Sequence, residues 1–330
     1  MRSRAHRLTS IVCFAAMFPF GSFAEDSPLV AAKQAYELGD YRKAISILEP
    51  AAAKEPNNGE IHLLLTKVYL ETEQDDAAVK SAEKAVAINP NKSEYHDWLG
   101  QAYGEKASRA SMFSAYSWAR KTQKEFEAAV KLDERNFDAA QHLIDYDCSA
   151  PGMVGGGEDK AQPLIQKLAG LDAAQGHYAQ GNCRLKKKDY AAVDVEFTKA
   201  LQLKTKSMPQ IREIVDYFAT HGQGDKVLLV ADTATTVDPS DPRVGFFRAV
   251  GWILKGQSLQ DAEKNLHEYL RVVSSPRPDY PSPASAHYWI GRLYEVQKNP
   301  GAARNEYQMA LKLNPKYKDA QEAVKKLGGS

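Results

Sequence analysis

The stretch ASAHYWIGRLYEVQKNPGAARNEYQMALKLNPKY, residues 284–317, decides the fold. Small and apolar residues recur every three or four positions in two runs of about 13 residues, which predicts two amphipathic helices. Gly291 and Ala303 are small enough to let the two helices approach closely, and Pro315 predicts the end of the second helix. One such pair cannot bury its apolar face alone, so further copies must stack on it.

Copies of this pattern fill the chain from residue 25 onward. Strong copies fit 25–58, 59–92 and 174–207, and weaker copies fit 93–136, 137–173, 208–241 and 242–283. The strong copies share a short apolar residue in the second run and another one two helical turns later. These residues are Ala44, Ala78, Val193 and Ala303, followed by Ala51, Ala85, Ala200 and Ala310. A fixed period of this length predicts stacked helical pairs.

This recurrence in register resembles the tetratricopeptide repeat (TPR) family, over essentially the whole chain after residue 24. The resemblance implies an all-α fold, a right-handed TPR solenoid of about eight helix-turn-helix repeats with a C-terminal capping helix. The expected organisation is repeats one to three in 25–136, a degenerate repeat with a glycine-rich loop in 137–173, repeats five to eight in 174–317, and the capping helix and tail in 318–330.

Residues 1–24 have the pattern of a signal peptide. Three arginines precede a short apolar run at 11–20, and Ser22 and Ala24 supply small residues where a signal peptidase cleaves. The sequence therefore predicts an exported protein, in the periplasm first of all, with secretion as the alternative. No run of about 18 apolar residues occurs, so no transmembrane segment is expected.

The charge balance argues against a nucleic-acid partner. The chain has 43 basic and 42 acidic residues, and three of the arginines lie in the predicted signal peptide, so 40 basic residues remain beyond it. A net charge of −2 offers no electrostatic attraction for a polyanion. The oligomeric state has no signal in the sequence.

The third repeat is about ten residues longer than the 34-residue period requires, so it contains an insertion. Its insertion combines basic and aromatic residues: Arg109, Phe113, Tyr116, Trp118 and Arg120. One interpretation is a protruding surface for a partner. The other, which we favour, is a pair of longer helices whose aromatic side chains pack on each other.

The fourth repeat contains the long loop CSAPGMVGGGEDKA, which begins at residue 148. It is not a phosphate-binding loop, because it lacks both the Gly-Lys-Ser/Thr ending and a preceding strand. Its PG-x-x-GG element is similar to one found in a group of exported bacterial TPR proteins, and that resemblance implies no catalytic activity.

Four histidines occupy equivalent places in four copies, which raises the question of a metal site. Stacked repeats lie roughly 10 Å apart, however, whereas zinc–nitrogen bonds are about 2.1 Å long. We interpret these histidines as packing residues and predict neither a metal nor another cofactor. They are His62, His96, His177 and His287.

Two cysteines lie outside the predicted signal peptide, and both fall on first helices of adjacent repeats. A disulfide between Cys148 and Cys183 is therefore possible, but the spacing alone does not decide whether they pair.

The concave face is the candidate binding site, because the first helix of each pair lines that face in TPR proteins. The resemblance assigns to it a set of polar, aromatic and charged residues suited to holding an extended peptide. The set comprises Lys67, Asp97, Gln101, Tyr178, Asn182, Lys186, Arg212, Tyr288 and Arg292.

The sequence predicts a non-catalytic exported scaffold that binds a protein or peptide in this groove. One alternative is an accessory factor for envelope assembly or polysaccharide export. A second is a hydrolase with a site near the loop of the fourth repeat, where His142 and Asp145 lie one helical turn apart.

Overall fold

The computed structural model describes residues 27–328, which form α-helices and one short 3-10 turn, without a strand. The predicted signal peptide lies outside the described residues and stays a prediction. Within 27–328 no helix is both long and apolar enough to cross a membrane. The helices are α1 (Pro28–Glu37), α2 (Tyr41–Lys54), α3 (Gly59–Glu71), α4 (Asp75–Ile88), α5 (Ser93–Arg109), α6 (Met112–Leu132), α7 (Phe137–Ser149), α8 (Glu158–Leu171), α9 (Ala173–Lys186), α10 (Tyr190–Gln202), α11 (Met208–Thr220), α12 (Gly224–Val237), α13 (Pro242–Lys255), α14 (Leu259–Val272), α15 (Pro283–Val296), α16 (Pro300–Leu313) and α17 (Lys318–Gly328).

Consecutive helices form eight antiparallel pairs, from α1 with α2 to α15 with α16, and α17 packs on α16. Many of the helices have a side chain that caps the N-terminus. Asn58 accepts hydrogen bonds from the first-turn amides of α3, and Asp189 and Asn299 do the same for α10 and α16. The all-α solenoid with about eight repeats, predicted from the sequence, is confirmed.

Glycines set the distance between the two helices of a pair. A Cβ atom on Gly181 would lie 2.5 Å from the ring of Phe197, and one on Gly291 would lie 2.5 Å from the ring of Tyr307. Both aromatic rings are fully buried. The glycine on the first helix therefore makes room for a large aromatic side chain on the second, and the pair closes without a void.

A disulfide joins two first helices near the middle of the solenoid. Cys148 at the end of α7 bonds to Cys183 in α9, with Cα atoms 5.3 Å apart. Around it pack Ile144, Ile165 and Leu168 from α7 and α8. The pairing that the sequence left open is present, because α7 and α9 lie side by side in adjacent repeats.

The insertion in the third repeat lengthens both helices, α5 to 17 residues and α6 to 21. Trp118 packs on Tyr103 of α5 with ring centres 5.5 Å apart, which agrees with the favoured interpretation for Trp118 alone. Phe113 is 93% exposed at the start of α6, however, and Tyr116 and Arg120 are also on the surface. Arg109 binds Asp75 at 2.6 Å.

A proline-rich strap, residues 274–282, connects α14 to α15 and reaches back to the first repeat. Ser275 Oγ donates a hydrogen bond to the carbonyl oxygen of Leu38 at 3.0 Å. Gly39, with φ +73°, lies so close to the strap that a Cβ atom there would be 1.7 Å from the carbonyl oxygen of Pro276. The strap therefore holds the junction between the seventh and eighth repeats against the turn after α1.

Candidate functional site: a groove with two cavities

Two cavities lie along the face formed by the first helices. The N-terminal cavity, of about 960 Å³, lies between α3, α5, α7 and the strap. The C-terminal cavity, of about 560 Å³, lies between α11, α13, α15, the end of the strap and the start of α17. Volumes of this size are typical of ligand sites.

The structure divides the nine predicted groove residues into groups. Lys67 and Gln101 line the N-terminal cavity. Arg212, Tyr288 and Arg292 line the C-terminal cavity. Lys186 is exposed near the end of α9 and lines neither cavity.

The remaining three predicted groove residues are buried, which corrects the expectation that they present a surface. Asp97, Tyr178 and Asn182 are 3%, 2% and 6% exposed. Asp97 lies 2.8 Å from His142 Nδ1, and the Tyr178 hydroxyl donates to Glu213 at 2.5 Å. The polar atoms of Asp97 and Tyr178 join the first helices of neighbouring repeats, because these positions face the next helix as well as the groove.

The N-terminal cavity carries more negative than positive charge. Its lysine and its arginine already have partners, since Lys67 binds Glu94 at 3.0 Å and Arg109 binds Asp75 at 2.6 Å. The carboxylates that line it are Glu71, Glu73, Glu105, Asp145 and Asp279. Among the described residues only Glu105 of these has an ion pair, with Arg109 at 3.4 Å.

These carboxylates are held where water is scarce and other carboxylates are near. Burial raises the pKa of Asp145 to about 6, although Lys186 and His142 act in the opposite direction. Burial also raises the pKa of Glu71, against a hydrogen bond from Tyr41, and the charge of Asp279 raises it further. Each shift marks an anion that lacks full compensation.

His142 sits among these acids on α7. Burial tends to lower the pKa of His142, but the hydrogen bond and charge of Asp97 outweigh that effect, and the net shift is upward. Its cationic form is therefore favoured by the Asp97 carboxylate.

Aromatic rings form part of the wall of the N-terminal cavity. The lining includes Trp98, Phe126 and Tyr146. Lys67 Nζ lies 4.7 Å from the centre of the Trp98 ring, within the range of a cation–π interaction. The wall therefore already accommodates an ammonium group.

The C-terminal cavity is aromatic with balanced charge. Tyr288 lies 5.3 Å from Tyr317 and 5.5 Å from Trp289 between ring centres. Arg212 binds Asp216 at 2.9 Å, and Arg292 donates to the Tyr288 hydroxyl at 3.2 Å. Burial raises the pKa of Asp216, and the charge of Arg212 limits that rise, so that the resulting pKa is about 6.

The four histidines at equivalent repeat positions form hydrogen bonds with other groups of the protein. In three pairs Nδ1 lies 2.6–2.7 Å from a glutamate on the second helix of the same pair: His96 with Glu125, His177 with Glu196, and His287 with Glu306. In the second repeat Ser81 replaces the glutamate, and His62 instead contacts the carbonyl oxygen of Pro56. The described residues contain no group of three His, Cys, Asp or Glu side chains placed to hold a metal ion.

Comparison with known proteins decides the family. A tetratricopeptide repeat model matches residues 35–102, and a second one matches 284–317. This chain contains tetratricopeptide repeats. Yeast Tom70 is 13% identical with a TM-score of 0.58, over 98% of this chain and 66% of that one. That likeness supports the fold.

Two bacterial structures are also similar to this TPR protein. A thermophilic TPR protein of Thermus thermophilus is 14% identical, over 93% of this chain and all of the other, with a TM-score of 0.35. A TPR protein of Parabacteroides merdae is 13% identical, over 92% and 98% of the two chains, with a TM-score of 0.42.

Near the loop of the fourth repeat, the described residues include a histidine with a carboxylate partner, but the nearby serine is not placed to act as its nucleophile. His142 has a carboxylate partner in Asp97, as a catalytic base requires. Ser149 lies seven residues along α7, about 10 Å by helix rise. Its hydroxyl donates to the carbonyl oxygen of Asp145 at 2.6 Å rather than to the histidine.

Sequence reasoning missed part of the N-terminal cavity of this TPR protein. Glu71 lies at the end of α3, where the repeat pattern does suggest a groove-facing position. Pro278 and Asp279 reach the cavity from the strap, more than 200 residues away in the chain. No spacing rule within a 34-residue period connects the strap to the first repeats.

Proposed function

We propose that this TPR protein is a non-catalytic exported scaffold whose concave face binds an extended segment of a protein partner. Helical repeat scaffolds of this family typically serve protein interactions. The observation that carries the proposal is the pair of cavities on one face, each of which combines aromatic rings with charged groups. Such a surface suits alternating side chains of an extended chain, while polar groups fix its register.

Two observations support export. The first 24 residues have the signal-peptide pattern. The disulfide between Cys148 and Cys183 fits an oxidising compartment, because disulfides persist there and are rare in the reducing cytosol. We place the protein in the periplasm, with secretion from the cell as the alternative.

Site-specific photocrosslinking tests the groove. A photoreactive phenylalanine analogue replaces Gln101, which lines the N-terminal cavity, in the chain from residue 25. The matched control carries it at Lys84, an exposed residue on the second helix α4. Each protein is irradiated with envelope and secreted fractions, and mass spectrometry identifies the adducts.

We expect a protein adduct from position 101 and none from position 84. An adduct from position 84 alone would refute the groove and place binding on the outer face. A third probe at Phe113 tests the exposed start of α6, and an adduct from that position alone would assign the partner to the insertion. A glycan adduct from position 101 would favour the polysaccharide-export alternative.

A further inference from the structure

The N-terminal cavity is enclosed from two sides that are far apart in the chain. Its floor consists of α3, α5 and α7, and its opposite side is the strap, through Pro278 and Asp279. The strap is held at the first repeat by the hydrogen bond from Ser275 to Leu38. A ligand in this cavity would therefore contact both the floor and the strap.

The carboxylates on the two sides act on each other electrostatically, and the cations near them form no direct ion pair with Glu71 or Asp279. Burial raises the pKa of Glu71 on the floor, and the charge of Asp279 raises it further. Burial also raises the pKa of Asp138 at the start of α7, where His142 and Lys67 act against the rise and Asp97 and Asp279 add to it.

Among residues 27–328, Glu71, Asp138 and Asp279 form no ion pair, although the Tyr41 hydroxyl donates to Glu71 and Arg243 donates to the carbonyl oxygen of Asp279. Like charges held together in this way are compensated when a cation enters between them.

The carboxylates do not suit a metal ion. They are spread over α3, α7 and the strap, and no three acidic or histidine side chains in the described part of the chain converge closely enough to coordinate one. A cavity near the upper end of the usual size range, with anions on opposite sides, requires a longer cationic ligand.

The aromatic wall favours the same class of ligand. Trp98 already carries the ammonium group of Lys67 on its ring. Guanidinium and ammonium groups bind carboxylates through charge-assisted hydrogen bonds and stack on aromatic faces. An acidic ligand would meet repulsion from at least three unpaired carboxylates.

We infer that the N-terminal cavity binds a basic segment of the partner, an extended peptide whose lysine or arginine side chains lie between Glu71 and Asp145 on the floor and Asp279 on the strap. This inference rests on the proposed function and adds the charge of the partner. Because Asp279 belongs to the strap, a bound cation links the strap to α3 and α7.

Peptide binding to the chain from residue 25 tests this inference. Three fluorescent 12-residue peptides share one framework and carry four lysines or arginines, four glutamates, or four glutamines. Fluorescence anisotropy is expected to give at least tenfold tighter binding for the basic peptide than for the neutral one, and the weakest binding for the acidic one. Raising the salt concentration from about 50 to about 300 mM should weaken the basic complex severalfold.

A matched pair of variants separates the cavity from general charge. Glu71→Gln with Asp279→Asn removes two cavity anions, and the glutamine keeps an acceptor for the Tyr41 hydroxyl. Asp261→Asn with Glu268→Gln makes the same charge change on α14, where both residues are exposed. We expect the first variant to lose about tenfold in affinity for the basic peptide and the second to bind like the wild type.

The outcomes distinguish this inference from the proposed function. Equal binding of all three peptides, tighter binding of the acidic peptide, no binding of the basic one, or an equal loss in both variants would overturn the basic-segment inference. Crosslinking at position 101 would then still support the groove. Failure of both the crosslink and the peptide assay would reject the proposed function as well.

Discussion

Gly181 shows how single residues determine the repeat. It stands on α9 where Phe197 of α10 packs against the backbone, and an added methyl group would meet the ring at 2.5 Å. We expect Gly181→Ala to lower the free energy of unfolding by about 1–3 kcal/mol, because overpacking outweighs the gain in helix propensity. Urea denaturation followed by circular dichroism measures the change.

Gly170→Ala is the matched control for that substitution. Gly170 lies in α8, and a Cβ atom there has no neighbour within 4 Å. Alanine at this position should therefore stabilise the protein, by up to about 1 kcal/mol. Equal effects of the two substitutions would contradict the packing role of Gly181.

Asp145 makes stability depend on pH. Its pKa is raised to about 6, mainly by burial, whereas an unfolded aspartate has a pKa near 3.9. Between these two pKa values the Asp145 carboxyl is protonated in the folded protein and ionised in the unfolded chain. Ionised Asp145 therefore destabilises the folded protein at neutral pH, and this effect decreases as the pH falls from about 7 towards 4. The charged groups that act on it are Lys186 of α9, His142 of α7 and Glu213 of α11.

Asp145→Asn removes that effect and retains an acceptor for the side chain of Gln141, which donates to Asp145 at 2.9 Å. We expect the variant to be more stable than the wild type at pH 7.5, by on the order of 1–2 kcal/mol, and to keep less than half of that advantage near pH 4.5. Thermal and urea denaturation at both pH values measure the difference. An advantage of the same size at both pH values would show that Asp145 is not the group that titrates.

The sequence anticipated some of these residues for a physical reason. Small residues in the first run predicted a close approach of the two helices, and Gly181 has that role against Phe197. Tyr178 was expected on the groove surface and is buried against Glu213. A helical period assigns a residue to one face, but a tightly curved solenoid brings the next repeat onto that same face.

Among the elements, α7 and α9 are held by a covalent bond as well as by packing. Cys148 and Cys183 are 35 residues apart, and the bond closes a loop that contains α8 and the glycine-rich segment. A cross-link of that length restricts the unfolded chain, which stabilises the folded state by about 2–4 kcal/mol.

Replacing both cysteines, Cys148→Ser with Cys183→Ser, should therefore lower the free energy of unfolding by about 2–4 kcal/mol. Urea denaturation with and without dithiothreitol measures this in the chain from residue 25, which contains only these two cysteines. The reduced wild type should match the variant, and dithiothreitol should leave the variant unchanged. A wild type that is insensitive to reduction would contradict the prediction.

The two long helices of the third repeat show where sequence reasoning about elements ends. The insertion keeps a helical pattern, so longer helices follow from it, and Trp118 packs on Tyr103 as expected. Phe113 remains exposed because the additional turns at the start of α6 extend past the shorter helices of the neighbouring repeats. The length of the neighbours, rather than the local sequence, decides whether an aromatic residue there finds a contact.

At the scale of the whole molecule, the strap determines how the superhelix closes. The repeat pattern predicts each pair and its neighbour, but it does not predict that residues 274–282 meet the turn after α1. That contact depends on the accumulated rotation of all the intervening pairs. The N-terminal cavity, which the strap completes, is therefore a property of the assembled solenoid.

Gly39 tests this closure. The residue has φ +73°, and a Cβ atom there would lie 1.7 Å from the carbonyl oxygen of Pro276, so Gly39→Ala must separate the strap from the first repeat. Gly222→Ala is the matched control, because Gly222 also has positive φ, +67°, but has open space around it. Both variants bear the left-handed backbone strain of about 1–2 kcal/mol. Hydrogen exchange measured by mass spectrometry should show faster exchange in α1 and in the strap for Gly39→Ala alone.

Affinity for the basic peptide should fall in the same variant, because Asp279 moves away from Glu71. Unchanged exchange in the strap would show that the closure does not depend on this contact.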